Sequence, residues 1–300
     1  MVMHTIQSFL EYSPYIVVSI ALLEFVVTLA LRSKQRDRKE TLANLAIWAI
    51  NRPLNWLLTG TVLVTVLTHV AQWAPLKLPL NWWTALLTFV VADLLYYWNH
   101  RLSHEIRLFW TYHSVHHSSK EYNLSTAVRL PWIGILGDLL FYVPLVLLGM
   151  DPVLLAISKY LVLLYQYWIH VESVGHLGWF DHYFNSPSNH RVHHAANESY
   201  LDKNHGGILM IWDRLFGTYQ AELKEVPVRF GLTKPLNSYN PFVINFHETA
   251  LLLRDMRDAG SFSVAIKYAF KGPAWRPAPA SHQVADHQTD HQTARQSLAN

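Results

Sequence analysis

The amino-acid sequence predicts an all-α fold, an integral membrane helical bundle with about four to five spans. Hydrophobic residues make up 51% of the 300-residue chain, and charged residues only 15%, well under the roughly 25% that is usual in soluble domains. The 12 tryptophans and 15 tyrosines form an aromatic excess of the kind found at bilayer interfaces. Several apolar stretches also approach the ~20 residues that a helix needs to cross a hydrocarbon core.

The predicted spans are five apolar stretches. They are residues 14–31, 54–72, 82–99, 133–149 and 153–169. Only three residues separate the last two spans, which must therefore form a tight hairpin. Asp138 and Lys159 lie within these two neighbouring spans and are expected to pair, because unpaired charges are costly in a bilayer. A shorter apolar patch, 41–50, is either an interfacial helix or the start of the second span.

The distribution of basic residues orients the spans. The loop 32–39 has five basic residues in eight, so the positive-inside rule places this loop in the cytoplasm. Counting spans from there places three regions on the same cytoplasmic side. They are the segment that begins after residue 99, the end of the fifth span at His170, and the later segment 190–194. Lys and Arg alone set this orientation, yet it gathers three histidine-rich regions on one face.

Nine histidines occur on that face with a recurring helical spacing. They are His100, His104, His113, His116, His117, His170, His190, His193 and His194. In the HxxxH and HxxHH motifs, residues four apart share one face of a helix, about 5–6 Å apart at Cβ, whereas the adjacent histidine diverges by ~100°. Nine imidazoles exceed what one tetrahedral zinc ion uses. The sequence therefore predicts two metal ions with four or five imidazoles each, rather than a chance cluster of interfacial histidines.

Composition excludes several other classes of site. The chain has no cysteine, which excludes thiolate zinc sites, cysteine-ligated iron–sulfur clusters and cysteine nucleophiles. Its net charge of +3 is small and forms no basic stripe, so nucleic acid is not an expected partner. No set of carboxylates matches the Glu-x-x-His pairs of soluble di-iron bundles, and the pattern favours a di-iron centre bound almost wholly by histidine. A histidine-rich zinc transport or storage protein is the non-enzyme alternative.

Four segments beside the spans carry a specific signature. They are HHSSKEYNLSTAVR (116–129), YQYWIH (165–170), NSPSNHRVHH (185–194) and DKNHGGILMIWDRLFGTY (202–219). Together with the histidine motifs they resemble the fatty acid hydroxylase/sterol desaturase superfamily over roughly 90–220, and within it the alkylglycerol monooxygenase-like bacterial members. We therefore divide the chain into N-terminal membrane spans (1–80), a fatty acid hydroxylase-type di-iron catalytic domain (81–230), a C-terminal helical segment (231–271) and a disordered tail (272–300).

The resemblance implies a membrane-bound, non-haem di-iron oxygenase that uses O2 to hydroxylate a lipid or to cleave an ether of one. A lipid or sterol C–H desaturase on the same scaffold is the alternative. The family implies two iron ions, a lipid substrate taken from the bilayer, and an external reductant or reductase. Tetrahydrobiopterin and ferredoxin or cytochrome b5 systems serve as electron donors in different branches. The active site is expected to face the cytoplasm, at a bacterial inner membrane or the endoplasmic reticulum.

Two carboxylates are candidate catalytic groups. Asp93 lies two turns before His100 on the same helical face, where it is expected to orient a metal-bound imidazole or, alternatively, to join two helices. Glu105 follows His104 and could hold a reductant or a ligand, or be a surface carboxylate. His205 stands where the family usually has tyrosine. It could add a ligand or a supporting donor, although simple replacement of one ring by another is the interpretation we favour.

Overall fold

A computed structural model describes residues 37–277 of the chain. The first predicted span, 14–31, lies outside the described residues, as does most of the basic loop that set the orientation and the greater part of the predicted tail. Between residues 37 and 277 the regular structure is helical, without a β-strand. This confirms the helical fold class.

The order of helices is as follows. The first half consists of α1 (Arg38–Asn55), a π-helical segment (Trp56–Leu63), α2 (Val64–Val70), α3 (Trp82–Glu105), α4 (Arg107–His117), α5 (Leu124–Ala127) and α6 (Ile135–Leu147). The second half consists of α7 (Pro152–Trp168), α8 (Trp179–Tyr183), α9 (Pro187–His193), α10 (Ile211–Leu215), α11 (Pro241–Arg257) and α12 (Phe262–Phe270). Short 3₁₀ turns occupy Ala71–Trp73 and Glu198–Tyr200.

The predicted spans correspond to parts of these helices. The stretch 54–72 contains the π-helical segment and α2, and 82–99 forms most of α3. The stretch 133–149 contains α6, and 153–169 covers α7 except for its first residue. None of the helices within residues 37–277 is long and apolar enough to cross a membrane. The number of spans thus stays a prediction.

The predicted hairpin between α6 and α7 is present. Gly149 adopts a φ of +94°, a left-handed conformation that glycine reaches without steric cost, and a Cβ there would lie 2.7 Å from the carbonyl oxygen of Leu76. Asp151 then caps α7, because its Oδ1 accepts hydrogen bonds from the amides of Val153 at 3.0 Å and Leu154 at 2.9 Å. The side chains of Lys159 and Asp138 form the expected ion pair between the two helices.

A sharp break between α3 and α4 creates the frame of the histidine-rich region. Ile106 has an extended backbone (φ −116°, ψ 118°), so α3 ends at Glu105 and α4 begins at Arg107. The second helix folds back against the first. The buried guanidinium of Arg107 then fixes α11 to the start of α4. It donates hydrogen bonds to Glu248 at 2.8 Å and to Asp255 at 2.6 Å.

Candidate metal centre

The nine predicted histidines converge in two adjacent groups. The five-histidine group consists of His100, His104, His113, His117 and His193, and the four-histidine group consists of His116, His170, His190 and His194. Within each group the candidate ligand nitrogens all lie within 4.8 Å of one another. The structure therefore brings together segments that lie up to 94 residues apart in the sequence (His100 to His194).

The helical spacing sorts the histidines between the groups. His113 and His117 on α4 face the five-histidine group, while their neighbour His116 turns to the four-histidine group. On α9 the assignment is reversed, since the pair four residues apart, His190 and His194, joins the four-histidine group. This is the division that a ~100° rotation per residue predicts for an HxxHH motif.

Within each group the imidazole rings bring their Nε2 atoms close together. The Nε2 atom of His113 lies 3.0 Å from that of His100 and 3.1 Å from that of His117. In the four-histidine group, the Nε2 atom of His170 lies 3.2 Å from each of the other three Nε2 atoms. One proton cannot serve so many converging nitrogens, but a cation that accepts imidazole lone pairs can.

The opposite ring nitrogens are held by the surrounding main chain. The Nδ1 atoms of His100 and His193 each lie 2.9 Å from a carbonyl oxygen, and the Nδ1 of His170 lies 2.7 Å from the carbonyl of Gln166. A carbonyl can only accept, so each Nδ1 carries the proton and each Nε2 presents its lone pair. Such partners fix both the tautomer and the orientation of a metal-binding imidazole. The donor set therefore fits two metal ions.

Burial keeps these imidazoles in the neutral form that a metal requires. Loss of solvation lowers the pKa of His100 to about 3 and that of His170 to about 4. Burial, with added repulsion from neighbouring rings, also holds the pKa far below its usual value for His113, His116, His117, His190, His193 and His194. At pH 7 these rings are uncharged, and their lone pairs are available.

The loop 202–205 is the support of the five-histidine group that the sequence did not reveal. The carboxylate of Asp202 lies 3.3 Å from the Nδ1 of His104, and the next residues supply the carbonyls that hold two further rings. Asp202 and Asn204 both have positive φ, 56° and 57°. The buried side-chain amide of Asn204 donates hydrogen bonds to the main-chain carbonyls of Asn189 at 3.0 Å and Gln220 at 2.7 Å. The only sequence signal for these roles was the DKNHGG motif.

We expect Asp202→Gly to weaken metal binding at the five-histidine group about tenfold. The variant removes the carboxylate beside His104 but keeps the positive φ, which glycine tolerates. Loss of a partner that orients a metal-ligating imidazole typically costs 10- to 100-fold in affinity, and the 60% exposure of this side chain places the effect at the lower end. Competition with a chelator measures the affinity. Asp202→Asn, which keeps an acceptor, is the matched control, and equal affinity of Asp202→Gly and wild type would contradict the prediction.

Of the two roles predicted for Asp93, the contacts in the structure match the joining of two helices, because Asp93 on α3 binds Trp212 on α10. The Asp93 carboxylate accepts hydrogen bonds from the amides of Ile208 at 2.7 Å and Leu209 at 3.2 Å, and from the indole of Trp212 at 2.9 Å. These groups had no signal in the helical periodicity, because they come from a segment distant in sequence. Asp93 therefore fixes the segment that follows the loop 202–205, instead of touching an imidazole.

Asp213 is a second buried carboxylate that the sequence analysis did not single out. Its oxygens accept hydrogen bonds from the amides of His205 and Gly206, both at 2.7 Å, and from the hydroxyl of Thr218. Burial raises the pKa of Asp213 to about 6, and these hydrogen bonds oppose the rise. Asp213 thus ties residues 205–206 to α10, while Asp93 ties residues 208–209 to α3.

Gly207→Ala is expected to destabilise the fold by about 1–3 kcal/mol, the usual cost of overpacking a filled interior. A Cβ at this position would lie 2.7 Å from the Oδ1 of Asp93 and 2.8 Å from Val162 Cγ1. Gly175→Ala is the control, because a Cβ there meets nothing within 4 Å. Thermal unfolding of both variants in the same detergent measures the difference, and equal midpoints would contradict the role of this close approach.

Glu105 lies away from the converging nitrogens. Its side chain is 42% exposed and forms an ion pair of 2.8 Å with Arg101. This is the geometry of a surface carboxylate, one of the two alternatives that the sequence left open. His205 lies beside the five-histidine group, with ring centroids 5.0–5.6 Å from those of His104, His100 and His193, but outside the set of converging nitrogens.

The nine histidines all lie within the part of the chain that matches a known protein family. Residues 85–218 match the family model for fatty acid hydroxylase. The chain is 37% identical over 265 residues to alkylglycerol monooxygenase of Homo sapiens, a match covering 87% of this chain and 58% of the relative. It is 41% identical over 205 residues to that of Danio rerio, with 68% and 45% covered.

A bacterial relative is more distant. Ornithine lipid hydroxylase OlsE of Rhizobium tropici is 30% identical over 179 residues, covering 58% of this chain and 53% of the relative. The chain thus spans about half the length of the curated relatives that it matches. No solved structure matches it.

Proposed function

Because this chain carries a fatty acid hydroxylase domain and is homologous to alkylglycerol monooxygenases, we propose that it is a membrane-bound di-iron oxygenase. In this proposal it uses O2 to hydroxylate a lipid or to cleave an ether bond of a lipid. A single observation carries the proposal, namely the convergence of nine histidines, eight of them buried, into two adjacent groups inside that domain.

The chemistry of the ligands supports iron. Imidazole suits iron, zinc and copper, and the names of the relatives, monooxygenase and hydroxylase, denote redox chemistry. The Nε2 atoms of the two groups would hold iron, which would supply activation of O2 and oxidation of an unactivated C–H bond. The protein positions these nitrogens through the carbonyls at their Nδ1 atoms and keeps bulk water from the site by burying the rings.

The reaction also requires electrons. Insertion of one oxygen atom from O2 into a C–H bond consumes two electrons and two protons and releases water. An external reductant, either tetrahydrobiopterin or a ferredoxin or cytochrome b5 system, is therefore part of the proposal. Where the hydroxylated carbon adjoins an ether oxygen, the product is a hemiacetal, which breaks down to an aldehyde and an alcohol.

Exposed apolar residues support access of a lipid substrate. On the first turns of α3, Trp82 and Trp83 are each 63% exposed, and Leu86 and Leu87 are about half exposed. An apolar patch of this kind is typical of contact with a membrane or a partner, and tryptophan favours the bilayer interface. We propose that α3 contacts lipid at this end, and that the histidine groups at its other end face the cytoplasm.

The test is oxidation of lipids with ¹⁸O2 by the full-length protein in membranes, with separate arms for tetrahydrobiopterin and for a ferredoxin system. Hydroxylation or ether cleavage is expected to place ¹⁸O in an alcohol or in the aldehyde derived from it. A desaturase would instead give a double bond without ¹⁸O. Unchanged lipids in every arm, with zinc in the purified protein and greater zinc tolerance of cells, would favour zinc storage or transport and contradict the proposal.

A further inference from the structure

His205 is a buried histidine that lacks a hydrogen-bond partner on either ring nitrogen among the described residues. Its side chain has 0% exposure. The main chain of Asp202 lies near the ring but forms no hydrogen bond with it. Buried polar groups in native proteins are nearly always paired, with protein or with an ordered ligand. The ring therefore calls for a partner that the described residues do not supply.

The position of this ring is fixed by its own main chain. The amide of His205 donates to Asp213 at 2.7 Å, and its carbonyl lies 2.9 Å from the Nδ1 of His100. Because the amide and the carbonyl of His205 are both held, the ring stays beside the five-histidine group. Its centroid lies 5.0 Å from that of His104, whose Nε2 is also buried without a hydrogen-bond partner.

Two other roles fit less well. The ring nitrogens of His205 are not part of the set that converges within 4.8 Å, which argues against a sixth direct ligand. A role in packing alone would leave two buried nitrogens without partners, at a cost that an apolar ring avoids. A small molecule between His205 and an ion held by the five-histidine group would give the buried imidazole its missing partner.

We propose that His205 holds a small polar ligand, namely water, hydroxide or a small anion, against the metal ion bound by the five-histidine group. The inference rests on metal binding by that group, as the proposed function does, but not on the identity of the lipid. Exogenous ligands that share this chemistry, such as azide, would occupy the same position. This assigns a ligand-binding role to a residue that lies outside both histidine groups.

Azide binding to the full-length, metal-loaded protein tests the inference. Metal content is measured first, and azide is then titrated into the wild type and into His205→Phe, which removes both ring nitrogens. We expect equal metal content and an azide Kd at least about tenfold weaker in His205→Phe, as for a lost hydrogen bond to a charged ligand. His182→Phe, at an exposed histidine, is the matched control and is expected to bind azide as the wild type does.

Three results would overturn the inference. They are equal azide affinity in wild type and His205→Phe, absence of azide binding by the metal-loaded wild type, and loss of one metal ion in His205→Phe, which would make the residue a direct ligand. His205→Leu repeats the comparison if the larger ring prevents folding. Azide binding as expected in a protein that oxidises no lipid would contradict the proposed function alone, so the two failures are distinguishable.

Discussion

Replacing His117 with alanine is expected to abolish lipid oxidation and to lower the bound metal by about one ion per chain. The Nε2 of His117 lies 3.1 Å from that of His113 and 3.0 Å from that of His193, so it occupies the middle of the five-histidine group. Loss of a mere supporting partner typically costs 10- to 100-fold in metal affinity or activity, and loss of a direct ligand should exceed that range. Its ring also stacks on His194 of the other group, with centroids 4.5 Å apart.

Metal analysis and lipid product analysis of the same preparation measure both effects. His182→Ala removes an exposed imidazole and should change neither quantity. If His117→Ala keeps its full metal content and its activity, the five-histidine group is not a metal site, and the two-ion account fails for this half of the centre.

Arg129→Met is expected to destabilise the protein by about 3–5 kcal/mol, the usual cost of breaking one side of a buried ion pair. Arg129 is 1% exposed and donates hydrogen bonds to Glu40 at 2.9 Å and to Asn44 at 2.8 Å, both on α1. Its other nitrogens donate to the Ser118 hydroxyl. Burial lowers the pKa of Arg129 to about 10, so the group is still charged at pH 7. Without it the Glu40 carboxylate would be buried without its cation.

This network links α1 to the four-histidine group, since the carbonyl of Arg129 lies 3.3 Å from the Nδ1 of His116. Denaturant unfolding of Arg129→Met measures the loss, with Arg254→Met, at a 70% exposed position, as the control. The double variant Glu40→Leu/Arg129→Met should recover much of the stability, because it removes both charges. A single variant as stable as wild type would show that the pair does not anchor α1.

The histidine groups could be predicted from the sequence because the spacing that produces them is local. Spacing of three and four residues fixes which imidazoles share a helical face, and it separates His116 from His113 and His117, which lie in different groups in the structure. The hairpin at Gly149 and the pairing of Asp138 with Lys159 were also accessible, since apolar stretches and intramembrane charges leave few alternatives.

The groups that support the histidines were not accessible in this way. The acceptors at the Nδ1 atoms are mostly main-chain carbonyls, which every residue type carries and which the sequence therefore does not reveal. In the loop 202–205, two residues with positive φ orient these carbonyls toward the rings. Asp93 was recognised as important, but its partners are amides more than a hundred residues away. Helical periodicity carries no information about such contacts.

The central claim is that the two histidine groups each bind one metal ion, and anomalous scattering at the iron edge from crystals of the full chain tests it most directly. The account predicts two peaks, one among His100, His104, His113, His117 and His193, and one among His116, His170, His190 and His194. A single peak, or no peak within either group in protein purified with its iron, would contradict it.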